Sequence, residues 1–228
     1  MSDLPARVRT ALAAVAQPER APAMQAYMKS AMPYLGVPAG PLRTACKAVF
    51  APLAFASAAE WQAAVRELWD GAEFREERYA ALELTAVKQA RGWQTMDALP
   101  LYEHLAVTGA WWDLVDPVAS NRLWPLLKHD PQPMRAAMLA WATDDDMWKR
   151  RCAILCQNPA KGETHTDLLT ACIAPSLDRQ EFWLRKAIGW ALRQFARTDL
   201  DWVRAYVAGE GAAMSPLSRR EALKAIGA

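Results

Sequence analysis

Apolar residues recur at intervals of three and four along almost the whole chain, with polar or charged residues between them. That period gathers one face of an α-helix. No run of four to eight residues alternates with β-branched side chains as a half-buried strand would, so the pattern predicts an all-α protein. Breakers at Gln17-Pro18, Gly36-Val37-Pro38, Asp70-Gly71, Arg91-Gly92, Asp130-Pro131, Asn158-Pro159 and Ser215-Pro216 cut it into about a dozen short helices. Several stretches share one outline, at intervals of roughly 35–45 residues: an amphipathic helix, a tight turn, then a helix carrying paired aromatics or basic residues. This suggests HEAT-like repeats forming a curved α-solenoid, whose concave wall can cradle an extended ligand. Identity between the stretches is low, and periodicity alone fits a globular bundle equally well.

Composition narrows the picture. A chain of 228 residues is long enough to bury a substantial core, and a single domain over 1–228 is expected. Hydrophobic residues make up 53% of it, yet charges interrupt every apolar stretch before the 18 or so residues that a membrane span needs. A soluble protein with no membrane partner is expected. The opening Met-Ser-Asp-Leu-Pro has no basic region leading into an apolar core, so no secretory leader and a cytoplasmic location are expected.

Cys46, Cys152, Cys156 and Cys172 form no C-x-x-C pair. Cys152 and Cys156 share a helix face, but His104, His129 and His165 offer no matching spacing, so buried reduced thiols are expected and a metal is not. The net charge of +2 is unevenly spread: residues 1–145 carry 14 Lys/Arg against 16 Asp/Glu, whereas residues 146–228 carry 13 against 9. An excess of cations in the last third is where a polyanion would bind.

Three segments carry candidate chemistry. On a helix over 184–197, Lys186, Trp190, Arg193 and Arg197 share one face while Leu184, Ile188, Leu192 and Phe195 gather on the other. An indole among cations, away from a core face already supplied, suits a surface that tracks phosphates and stacks on nucleotides. A solvated face with Trp190 covered by a neighbouring helix fits equally well. In Trp111-Trp112-Asp113-Leu114-Val115-Asp116-Pro117, Trp112 and Asp116 are i, i+4 neighbours outside the apolar side. Asp before Pro is also a good helix N-cap, a role that Asp113 could take instead. In Trp148-Lys149-Arg150-Arg151, Arg151 emerges on the apolar side and needs a carboxylate or phosphate close by. Asp116 is one candidate for a shared cleft, and some other acid would make a structural salt bridge.

These motifs resemble one family. Trp-Trp-Asp-x-Val-Asp (111–116), Trp-x-x-Arg-x-Ala-Ile-Leu (148–155) and Lys-Ala-Ile-Gly-Trp-x-Leu-Arg (186–193), in that order, are similar to motifs of the AlkD-type alkylpurine DNA glycosylases, which are built from HEAT-like repeats. The likeness extends from Met-Gln-Ala-Tyr-Met-Lys around Tyr27, through Arg-Glu-Leu-Trp ending at Trp69, to Pro-Leu-Ser-Arg-Arg-Glu-Ala-Leu-Lys at 216–224. The resemblance implies that Asp116 is the catalytic carboxylate, Trp112 and Trp190 are aromatic walls, and Arg151 lies beside the aspartate and the DNA backbone. Tyr27, Arg43, Lys186, Arg193, Arg197 and Arg219 are the expected DNA contacts. Cys152 beside the arginine and the bulky Trp183 depart from the pattern, which bears on lesion preference.

The implied reaction is hydrolysis of the N-glycosidic bond of cationic N3- or N7-alkylated purines in duplex DNA, with the base left in the stack, by a monomer needing no cofactor. A cationic base leaves without a general acid, so one carboxylate suffices to stabilise the oxocarbenium-like sugar. The alternative is an inert HEAT-repeat module that binds DNA or protein and has no use for Asp116. A metal-dependent nuclease lacks clustered ligands.

Overall fold

The computed structural model describes residues 4–224. The first three residues, part of the stretch read for a leader, lie outside the described residues. Among the described residues the secondary structure is entirely helical, with fourteen α-helices, five 3₁₀ turns and one π turn, and no helix is long and apolar enough to cross a membrane. The fold is all-α, of the HEAT-like helical-repeat kind. The chain separates into two compact units, Met1–Gln94 and Thr95–Ala228.

The first unit contains α1 (Leu4–Ala13), α2 (Ala21–Met28), α3 (Ala39–Phe50), α4 (Ala58–Asp70) and α5 (Arg75–Leu84). Leu4, Val8 and Leu12 fall four residues apart on α1 and are all buried, the spacing that lines one helix face. Trp61 and Trp69 of α4 are fully buried, and the Trp61 indole N–H donates to the Leu84 carbonyl at 3.1 Å, tying α4 to α5. The expected break at Gly36 is explained by Glu76. Its buried carboxylate accepts the backbone N–H groups of Leu35, Gly36 and Val37 at 2.9–3.0 Å, which offsets the cost of burying it. The loop reaches that carboxylate with Gly36 at φ +83°, where a Cβ would stand 2.0 Å from the Gln17 carbonyl oxygen, so only glycine fits.

The second unit contains α6 (Leu99–Gly109), α7 (Trp112–Val118), α8 (Trp124–His129), α9 (Pro131–Ala142), α10 (Met147–Leu155), α11 (Thr166–Ile173), α12 (Phe182–Phe195), α13 (Leu200–Gly209) and α14 (Pro216–Leu223). Helix α10 packs against α6, α7, α9, α11 and α12, and α12 packs against α14. Several helices start on side-chain caps: Asp146 accepts from the N–H groups of Trp148 and Lys149, Asp199 from Trp202, and Ser215 from Ser218, satisfying donors that the first turn leaves open. Pro131 and Pro216 open α9 and α14 as their positions in the sequence suggest. Arg91-Gly92, by contrast, lies inside a 3₁₀ segment, Lys88–Trp93, and ends no helix.

Arg150 is buried and closes the end of α9, donating to the carbonyls of Ala142, Thr143 and Asp144 and to that of Pro175. Lys149 pairs with Glu103 and Asp144. All four cysteines are free and buried. Burial pushes the thiols of Cys46 and Cys172 up to about 12, so they remain protonated and behave as small apolar side chains.

Candidate active site

Helix α6 ends at Gly109, and Ala110 takes a left-handed conformation, φ 43°, that turns the chain into α7. Trp111 is the N-cap residue of α7, without a side-chain cap bond. Leu114, Val115 and Val118 are buried, and this apolar stripe leaves Trp112 and Asp116 one turn apart on another side. Asp116 lies inside α7, with Pro117 after it still helical. Neither aspartate of the motif is the N-cap: Asp113 lies in the first turn and Asp116 faces α10.

The Asp116 carboxylate accepts two parallel hydrogen bonds from Arg151 of α10, Nε to Oδ1 at 2.7 Å and Nη2 to Oδ2 at 2.8 Å. This is the bidentate geometry that best matches a guanidinium to a carboxylate. Arg151 also donates through Nη1 to the Trp183 carbonyl at 2.5 Å, so three of its donors have acceptors. The arginine side chain is 4% exposed and that of Asp116 12%. Burial pushes the Asp116 carboxyl above its ordinary value, and Asp113 adds to the rise, while Arg151 pulls it down without cancelling the effect. Each carboxylate oxygen keeps a lone pair beyond its bond to Arg151, so the group can still accept from a further donor.

Around this pair the tryptophans cluster. Trp183, at the start of α12, stacks on Trp112 with centroids 6.5 Å apart and planes 29° apart. It also meets Trp111 edge-on at 5.3 Å and Trp148 at 6.3 Å, and the Arg151 guanidinium lies 5.8 Å from its centroid. Phe182, 53% exposed, packs edge-on against it. Trp183 thus touches Trp112 through its ring and Arg151 through its carbonyl. Sequence reasoning noted Trp183 only as a bulky departure. The signal that could have found it is its place seven residues before Trp190, which puts both indoles on one face of α12, about 10 Å apart along the axis. Trp190 is partly exposed, and among the described residues no aromatic ring stacks on it.

The basic residues divide. Lys186 and Arg193 share α12 with Trp190, and both are engaged by Glu221 of α14: Lys186 Nζ lies 3.1 Å from Oε1 and Arg193 Nη1 2.6 Å from Oε2. Burial alone would raise the Glu221 carboxyl, but the two cations hold it below its usual range. Arg197 lies just past the end of α12 and is exposed. Arg219 of α14 is exposed and donates to the Gly211 carbonyl. In the other unit, Tyr27 of α2 is 73% exposed, and Arg43 of α3 is exposed with its Nε bonded to the Ala39 carbonyl one turn back.

Fold and site define a class: an α-helical repeat protein with one buried, guanidinium-held carboxylate beside a tryptophan cluster. The family model of the DNA alkylation repair enzymes matches residues 8–226, and the chain belongs to that family. Its role is in DNA alkylation repair. The solved structure of a predicted DNA alkylation repair enzyme from Enterococcus faecalis is similar over 93% of this chain and 97% of its own, with a TM-score of 0.83 and 25% sequence identity. No curated protein matches the chain.

Proposed function

We propose that the protein is a monofunctional DNA glycosylase that hydrolyses the N-glycosidic bond of cationic N3- or N7-alkylated purines in duplex DNA, its two units acting as one domain. The observation that carries this reading is the Asp116 carboxylate, buried and aimed by Arg151 beside Trp112. A carboxylate with this support stabilises positive charge as it develops on a sugar, at little cost in reorganisation.

The steps follow from the substrate's charge. As the bond from C1′ to the purine nitrogen breaks, its electron pair returns to the cationic base, which leaves neutral. Asp116 faces the oxocarbenium-like sugar and orients the water that adds to C1′; the water's proton passes through the carboxylate to solvent. Trp112 and Trp190 offer negative π faces to the cationic nucleotide, each contributing about 0.5–2 kcal/mol. With the sugar as the group attacked, the base stays in the stack, and bulky adducts are accepted because no pocket has to admit them. Arg197, Arg219, Tyr27 and Arg43 contact the backbone, which fixes position and carries no sequence information.

The test uses metal-free protein and three duplexes, carrying a single N7-methylguanine, a single uracil or no lesion. The expected products are free N7-methylguanine, identified by mass, and an abasic strand that stays intact until alkali cleaves it. Uracil stays in place because it lacks the charge that activates the leaving group. Strand scission without alkali, or release of uracil at a comparable rate, would overturn the assignment.

A further inference from the structure

The carboxylate of Glu221 stands on the wrong side of the charge balance for a surface that attracts phosphates. It bridges Lys186 and Arg193, the two cations that flank Trp190 on α12. Its side chain is 10% exposed, against 35% for Lys186 and 26% for Arg193, so the acid lies beneath cations that reach solvent. Its helix is docked closely, since a Cβ on Gly189 would lie 2.4 Å from the Glu221 Cβ and 2.9 Å from the Ser218 carbonyl oxygen, and its carboxylate is held by the two ion pairs. Ser218 Oγ also donates to the Arg185 carbonyl at 3.0 Å. A backbone phosphate approaching this face meets two cations whose charge is already half offset by a fixed anion.

We propose that Glu221 limits the time the protein spends on DNA it has no reaction with: its fixed charge weakens the attraction of the α12 face for any phosphodiester backbone, so that undamaged duplex is released readily. This rests on the reading that α12 faces DNA. The phosphate contribution to DNA binding is independent of sequence, so a protein that must find rare lesions gains search speed, and not a better affinity ratio, by limiting it. A bridge that merely staples α14 to α12 makes the opposite prediction, since losing it would loosen the cations and weaken binding.

The experiment measures affinity for undamaged duplex across a potassium chloride series for the full-length wild type, Glu221→Gln, Glu221→Asp, Arg193→Gln, Glu221→Gln/Arg193→Gln and Arg197→Gln. Glu221→Gln is expected to bind about threefold to tenfold more tightly at low salt, with a log–log slope steeper by about one unit. Glu221→Asp, which keeps the charge, returns to wild-type behaviour. Undamaged duplex dissociates more slowly from Glu221→Gln than from the wild type, while the ratio of affinities for the N7-methylguanine and undamaged duplexes keeps its wild-type value, because the phosphate contribution is common to both. The double variant keeps the result readable if the single one is unstable: it restores the net charge of the face and binds more tightly than Arg193→Gln alone. Unchanged or weaker binding by Glu221→Gln, or a double variant no tighter than Arg193→Gln, overturns the inference while a reduced slope for Arg197→Gln leaves the α12 interface standing. If every variant, Arg197→Gln included, behaves as wild type, the interface falls as well.

Discussion

Asp116 and Arg151 are 35 positions apart, and single-residue physics offered their pairing as one candidate beside a salt bridge to some other acid. An arginine on the apolar side of its helix must find an acceptor, and an aspartate outside the apolar side of a tryptophan-rich turn was available. Trp183 was not legible in this way, because its role depends on where the start of α12 meets α7 and α10. The pH dependence follows from Asp116. The reaction needs the carboxylate, and burial raises its pKa, so the acid limb of single-turnover base release falls above the ordinary Asp range, near about 4. A limb at or below that value contradicts the stated environment. Stability has the opposite sign. With the folded pKa raised, the contribution of Asp116 is greatest below its unfolded pKa and declines as pH rises through the folded one. Asp116→Asn abolishes that decline. It also leaves Arg151 facing an amide, at a cost of about 1–3 kcal/mol, which thermal melting across pH measures.

Among the elements, α7 and α10 supply the Asp116–Arg151 pair, α12 brings Trp183 and Trp190, and α14 backs the polar face of α12. The amphipathic pattern of α12 was plain in the sequence, since Leu184, Ile188, Leu192 and Phe195 are all buried. The partner of its polar face was not, because Glu221 arrives from 28 residues further on. Gly189 marks the contact. In a helix interior, Gly→Ala ordinarily stabilises by about 0.5–1 kcal/mol. Here the added methyl would stand 2.4 Å from the Glu221 side chain and 2.9 Å from backbone, and the sign reverses. Gly189→Ala is expected to destabilise by about 1–3 kcal/mol and to shift the melting transition down. A raised melting temperature would mean that α14 does not dock as closely as described.

At the scale of the whole molecule, the excess of cations in residues 146–228 was visible from counting, but counting could not tell which of them are already engaged. Lys186 and Arg193 are held by Glu221, while Arg197 is exposed. Replacing Arg197 by Gln should therefore weaken binding to every duplex and lower the salt slope by about one unit, whereas Arg193→Gln should do so by less. The all-α class was legible from the spacing of apolar residues and breakers. The choice between a solenoid and a bundle was not, because it depends on how successive helices pack rather than on any one of them. The two compact units, Met1–Gln94 and Thr95–Ala228, are likewise products of packing that no linker composition announces.

The central claim is that Asp116 performs the chemistry and does not merely support the fold. It is tested most directly by single-turnover release of N7-methylguanine from duplex DNA by the wild type and Asp116→Asn, with binding to the same duplex and thermal melting measured in parallel. The account predicts that the variant remains folded, binds the duplex in a salt-dependent way and releases base at least a hundredfold more slowly, a loss of about 2.7 kcal/mol or more in transition-state stabilisation. Release by the folded variant at a rate close to the wild type's would contradict it and reduce the Asp116–Arg151 pair to a structural salt bridge.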